Sequence, residues 1–374
     1  MEILYENLLN ITWQQAVMWL IGGILIFLAI KKEMEPTLLL PMGFGAILMN
    51  LPFAPGTESG VAHVLNRLFD IGIDNYELMP LILFIGIGAM IDFTPLLTNP
   101  KLMFFGAAAQ FGIFFTLCLA SVLGFDLKDA ASIAIIGAAD GPTSIYVATV
   151  LGSSYLPAIM VAAYSYMALV PIVQPPIIKL CTTKKERLIR MDNAGGKKVS
   201  KITLILFPIL VTIIVGIVAP DAVVLIGFLM FGNLIRVCGV VDSLSETAQK
   251  VLANLVTLFL GITIASRMVA VEFLRFETLL IMVLGLVAFV FDTFGGIMLA
   301  KVLNIFSKTK INPMIGAAGI SAVPMSARVV HKMGLEEDNQ NFLLMHSIGV
   351  NVSGQIASVI AGGLILGIVK GMLG

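Results

Sequence analysis

Charge is scarce in this sequence. Asp, Glu, Lys and Arg make up 12% of 374 residues, and the 23 basic side chains balance the 23 acidic ones. A soluble domain of this length needs more surface charge, and a nucleic-acid binder needs a net positive field. Neither class fits, and no nucleic-acid partner is expected. Cysteine is equally thin: Cys118, Cys181 and Cys238 are scattered, which excludes a disulfide framework and a zinc site. The three histidines, His63, His331 and His346, lack metal-ligand spacing. Met1 to Gln15 is acidic and polar rather than basic, and no small-residue cleavage site follows the first apolar run, so no cleaved signal peptide is expected. What remains is apolar. Hydrophobic residues reach 58% and mean hydropathy is +1.00. The composition predicts an all-α polytopic protein of the cell (inner) membrane, with the lipid bilayer as its solvent.

Apolar runs predict spans at 13–30, 37–51, 77–97, 102–123 and 157–180, with 52–76 loop-like or amphipathic. Thr182 to Lys201 is the one long hydrophilic stretch, rich in Lys and Arg, and reads as a cytoplasmic loop. Further spans follow at 202–219 and 222–237 and on to the end of the chain. This divides the sequence into a first membrane repeat (1–181), the basic loop (182–201) and a second membrane repeat (202–374).

Two stretches break the apolar pattern. Residues 135–144 carry Asp140, two glycines, Pro142, Thr143 and Ser144. Proline removes a backbone donor and glycine weakens a helix, so the helix breaks here. Broken backbone at membrane depth survives only where protein or a water-filled cavity satisfies it. Residues 312–328 repeat the pattern: Ile-Gly-Ala-Ala recurs at 315–318, followed by Ser321, Pro324, Ser326 and Arg328. Each is expected to form a broken or re-entrant hairpin, over 128–153 and 308–331. Such segments at matching positions in two halves point to an ion site.

Other fragments recur in the same order. Phe44-Gly45 is echoed by Phe231-Gly232, and Leu83 to Gly86 by Leu258 to Gly261, all about 180 residues apart. An internal duplication follows. With five spans in each half the repeats are inverted, and the hairpin tips meet near mid-membrane. That topology places Lys31, Lys32, Lys101 and Lys301 inside, and Arg67, Lys128, Arg267 and Arg275 outside.

Asp140 is the leading candidate for a cation ligand or proton carrier, because an intramembrane carboxylate is costly unless it has a function. Its bland alternative is a helix cap, with Pro142 near the first helical position. Sodium, a hard cation, wants oxygen ligands. Thr143 and Ser144 offer hydroxyls one turn on, and Asn312, Ser321 and Ser326 offer oxygens from the second segment. Arg328 reads either as an interface anchor or as a holder of an anionic substrate. Tyr164 and Tyr166 read as packing residues or as a proton relay. Asp292 is a second intramembrane carboxylate, Gln110 falls mid-span, and Asn351, Ser353 and Gln355 form a polar patch in the last span.

The stretch Gly137 to Thr143 closely resembles the membrane-embedded β subunit of the sodium-pumping, biotin-dependent decarboxylases of oxaloacetate, methylmalonyl-CoA, glutaconyl-CoA or malonate. Asn312 to Val329 resembles the second signature of that family, and the likeness covers essentially the whole chain. The resemblance implies an elevator-type core and scaffold. It implies a homotrimer working with a soluble carboxyltransferase, a biotin carrier subunit and a small single-span membrane subunit. It also implies functional roles for Asp140, Tyr166, Asn312, Gly316, Ser321 and Arg328. Of these, Asp140, Asn312 and Ser321 would serve Na+, joined by Thr143 from the residue reading above; Asp140, Tyr166, Ser321 and Arg328 would serve catalysis, and Gly316 and Arg328 would serve carboxybiotin. The Met-Lys-Met biotin attachment motif is absent, since Lys332-Met333 lacks the preceding Met, so carboxybiotin must arrive on another chain. The expected function is decarboxylation of that carboxybiotin, with consumption of a proton and export of Na+. A stand-alone sodium-coupled transporter of a small anion is the alternative.

Overall fold

The computed structural model describes residues 11–52, 60–74, 77–191 and 199–373. It is helical throughout these residues. The helices are α1 (Trp13–Lys32), α2 (Pro36–Met49), α3 (Gly60–Phe69), α4 (Leu78–Met90), α5 (Pro100–Val122), α6 (Leu127–Ala134), α7 (Gly141–Leu151), α8 (Leu156–Cys181), α9 (Lys201–Val218), α10 (Val223–Cys238), α11 (Asp242–Arg267), α12 (Phe276–Phe306), α13 (Met325–Glu337) and α14 (Leu344–Leu373).

Among the described residues eight helices are long and apolar enough to cross a bilayer. Five of them stand at the spans predicted at 13–30, 102–123, 157–180, 202–219 and 222–237. A helix satisfies every backbone donor and acceptor internally, which lipid demands. The predicted second and third spans are shorter. The 14-residue α2 carries Pro41 inside it, and α4 ends at Met90 rather than running to Leu97, because Ile91 turns extended. The predicted loop at 52–76 lies partly outside the described residues. Its described part forms α3 and a π turn at Asp70–Asp74.

Burial separates periphery from centre. Over their apolar windows α1 and α9 are 17% and 11% buried, whereas α8 and α14 are 67% and 72% buried. The two broken segments lie against α8, α12 and α14.

Several of the remaining helices cross at glycines. In α2, Gly45 abuts Ala265 and Ile262 of the α11 segment. In α10, Gly232 abuts Ile85 of α4 so closely that a Cβ would collide with its carbonyl. In the sequence comparison α2 matches α10 and α4 matches α11. Under the expected duplication, the α2–α11 and α4–α10 crossings would be counterparts of each other. Asparagines act in parallel: Asn50, just after α2, donates to Met268 O at 2.7 Å, and Asn233 of α10 donates to Ile91 O at 2.9 Å. Each holds the backbone just past the end of the helix its own helix crosses.

Two groups of charged residues pair among the helix ends. Arg267 approaches Asp70 at 3.9 Å and shares a polar cavity with Ser154, Tyr155 and Arg275. Elsewhere Arg187 pairs with Glu337 at 2.5 Å and Lys301 with Glu186 at 3.3 Å. Part of the basic loop, 192–198, lies outside the described residues.

Candidate functional site

The first broken segment forms as the sequence predicts. Helix α6 runs into a 3-10 turn at Ile135–Ala138, Ala139 takes a left-handed conformation (φ 52°), Asp140 is extended, and α7 starts at Gly141. A left-handed alanine is uncommon and costs energy. It turns the chain sharply at the residue before the carboxylate. The second segment is a 3-10 run at Pro313–Gly319, followed by extended Ile320 and by α13 from Met325. The breaks touch: Ser321 N–H donates to Ala138 O at 3.0 Å.

Asp140 is 3% exposed. Its Oδ2 accepts from the Thr143 hydroxyl at 2.6 Å and from Gln355 Nε2 of α14 at 2.9 Å. Ser144 donates to Asp140 O at 2.9 Å. The Ser321 hydroxyl contacts Ser358 Oγ and lies 3.2 Å from Gly354 O. Asn351 of α14 donates to Ala318 O and Ile320 O at 3.1 and 2.7 Å, which satisfies carbonyls freed by the second break. One face of α14 thus serves both breaks.

A cavity of about 310 Å³ opens beside this cluster. Asp140, Ser321, Gln355 and Tyr164 line it, together with Glu35, Asn254 and Thr257, and Leu83, Ile87 and Met167 add apolar wall. Arg328 stands exposed on α13 within electrostatic reach of Glu35. Burial pushes the Glu35 carboxyl up, and the Arg328 charge opposes that shift.

Several expected site residues are elsewhere. Asn312 does not face the cavity. Its Nδ2 donates to Arg187 O and Ile189 O at 2.9 and 2.8 Å, and its Oδ1 accepts from Met314 N–H. It ties the second break to the start of the basic loop. Gly316 does not line the cavity either; it packs on Gly296 of α12 with no room for a Cβ. Arg328 stands beyond the cavity lining rather than in it. Tyr166 turns away and donates to Met282 O of α12, whereas Tyr164 packs on Gly141 and lines the cavity. Residues i and i+2 of a helix point apart, so only one phenol can face Asp140. Asp292 also lies apart from the cavity: its Oδ1 accepts from Ile113 N–H at 3.1 Å, capping the part of α5 that restarts after Gln110.

Ser358, Gln174, Glu35, Asn254 and Thr257 were missed in the sequence. A signal existed for the first. Asn351, Gln355 and Ser358 are spaced four and three residues apart, a polar stripe on one helical face. Gln174 donates to Ala317 O at 2.6 Å and so supports the second break from α8.

Comparison with known proteins gives the same reading from another direction. Residues 14–369 match the family described as "Na+-transporting oxaloacetate decarboxylase beta subunit". The chain is 44% identical to the oxaloacetate decarboxylase beta chain of Haemophilus ducreyi, over 98% of each chain. It is 47% identical to the glutaconyl-CoA decarboxylase subunit beta of Acidaminococcus fermentans, over 96% of this chain and 94% of that one. It is 46% identical to the methylmalonyl-CoA decarboxylase subunit beta of Propionigenium modestum, over 94% and 93%. On this coverage, and with its cavity built on two meeting breaks, the chain belongs to the family of Na+-transporting oxaloacetate decarboxylase beta subunits.

Proposed function

We propose that this chain is the membrane subunit of a sodium-translocating, biotin-dependent decarboxylase. The observation that carries the reading is the buried Asp140 carboxylate, held by Thr143 and Gln355 where two broken segments meet beside a cavity.

Na+ is the cargo, and the oxygens around Asp140 suit a hard cation: carboxylate, the Thr143, Ser321 and Ser358 hydroxyls, and carbonyls released by the breaks. Carboxybiotin, delivered by a partner chain, would supply an N-carboxylate; when its C–N bond breaks and CO2 leaves, the ring nitrogen keeps the electron pair and must take one proton from a donor. Tyr164 holds a phenolic proton in the cavity, and Asp140 exchanges a proton for Na+ as its charge requires. The carboxylate stays ionised while the cation is present. Protonation removes the attraction that retains the cation, which makes release favourable. Arg328 and Glu35 set the charge at the cavity's end, where an anion meets a cationic side chain first.

The exchange of helix crossings between halves supports inverted repeats. In this reading the two breaks, with α8, α12 and α14, move as a body against α2, α4 and α11 and carry the site between the two sides. The partners are a soluble carboxyltransferase, a biotin carrier subunit and a small single-span membrane subunit, around a homotrimer of this chain in the cell membrane. A stand-alone transporter is disfavoured, because the relatives named above are all decarboxylase subunits.

Gentle purification from native membranes, with streptavidin probing of co-purifying chains and decarboxylation assays on each acyl-CoA and on oxaloacetate, tests this. The expected result is a biotinylated partner and decarboxylation that rises with Na+. A lone chain inactive on carboxybiotin, taking up a solute with Na+ in vesicles, would overturn it.

A further inference from the structure

The face of α11 toward the cavity is chemically out of place in its helix. Leu255, Leu258 and Phe259 around it are exposed and apolar, as lipid requires. Asn254 and Thr257 instead line the same cavity as Asp140, Ser321 and Gln355. Spaced three residues apart, they share one helical face. Neither side chain makes a hydrogen bond among the described residues. Asn and Thr side chains in membrane helices ordinarily bond across to a neighbouring helix. Asn254 is exposed and Thr257 half-buried, so both present free donors and acceptors to a molecule that enters the cavity.

Their chemistry narrows the ligand. A carboxamide presents a donor and an acceptor side by side. A cyclic urea presents the complement, an N–H beside a carbonyl oxygen. A hydroxyl adds one further donor for that carbonyl. The apolar wall of Leu83, Ile87 and Met167 suits the hydrocarbon and thioether part of a fused bicycle. The residues present therefore fit the biotin ring.

We propose that Asn254 and Thr257 form the edge that recognises the ureido ring of the biotinyl group, leaving the Asp140 side of the cavity to the ion and the proton. The inference rests on the function proposed above. It divides the cavity: one wall reads the ring and the other handles Na+.

Binding of biotinamide, which carries the ring without the N-carboxylate, to the purified full-length chain tests this apart from turnover. Asn254→Ala and Thr257→Val are each expected to weaken binding roughly tenfold, the loss of about one well-placed hydrogen bond pair. Thr257→Ser, which restores the hydroxyl, regains it. Leu255→Ala, on the lipid-facing side, serves as the control. Half-saturation by Na+ in the assembled complex stays unchanged in Asn254→Ala while KM for carboxybiotin rises. Wild-type affinity in both Asn254→Ala and Thr257→Val would overturn the inference and leave the proposed function standing. Failure of the unaltered chain to bind biotinamide or to decarboxylate carboxybiotin would overturn both.

Discussion

Ser321 N–H donates to the carbonyl oxygen of Ala138 at 3.0 Å. This bond crosses between the two halves of the chain at the points where both give up regular helix. Freed carbonyls and amides in a bilayer must find partners or cost several kcal/mol each. Here the breaks satisfy each other, and α14 satisfies much of the rest through Asn351 and Gln355. The arrangement leaves hydroxyl and carboxylate oxygens facing one cavity, as a transported cation needs.

The tyrosines separate by direction. The Tyr164 hydroxyl has no partner and shares the cavity with Asp140, while the Tyr166 hydroxyl is bound to Met282 O. Tyr164→Phe should cost no stability and lower coupled decarboxylation by a factor of about 100, the low end of what a positioned proton donor contributes. Tyr166→Phe should lower thermal stability by about 1 kcal/mol and keep most activity. Melting curves and turnover on the two variants decide, and the reverse pattern would return the proton role to Tyr166.

How much of this was legible beforehand follows from what each feature depends on. Long spans, both hairpin regions and the Asp140 break could be read because they rest on local composition: apolar length, proline and glycine. The resemblance added the second signature and its residue roles. The direction of a side chain depends on helix phase and neighbours, which composition does not carry. Tyr166 and Tyr164 differ only in phase. Asn312 looked like an oxygen donor near a break, and it is one, but the backbone of residues 187–189 takes its amide. Glu35, Asn254 and Thr257 come from helices remote in sequence and became visible only when a shared cavity joined them.

Asn312 therefore has a structural task. Asn312→Ala leaves Ile189 O without its donor and Met314 N–H without its acceptor, while Arg187 O keeps Asn341, and stability should fall by about 1–3 kcal/mol. The Na+ concentration for half-maximal activity should not move. A large shift in Na+ dependence at unchanged melting temperature would contradict the placement.

The basic loop acts as a strap across the second half. Arg190 pairs with Asp338 at 2.5 Å, and its hydrogen bond holds the Asp338 carboxyl below its usual range. Glu186 is likewise lowered: partial burial works against ionisation, but hydrogen bonds from Thr183 and Lys301 outweigh it. Both groups release protons more readily folded than unfolded. Their contribution is thus present above the ordinary carboxylate range and is lost as pH falls through the folded values. Asp338→Asn should lower the melting temperature near neutral pH, and the gap to wild type should close as pH falls below about 4. A gap independent of pH would show that the strap is not electrostatic.

The central claim is that one carboxylate, Asp140, couples sodium movement to decarboxylation. The most direct test is radiosodium uptake measured alongside CO2 release in proteoliposomes holding the assembled complex with Asp140→Asn. The amide keeps the side chain's shape and removes its charge. The account predicts that both activities vanish together while assembly with the biotinylated partner is retained. Sodium uptake and CO2 release at wild-type rates and ratio would contradict it.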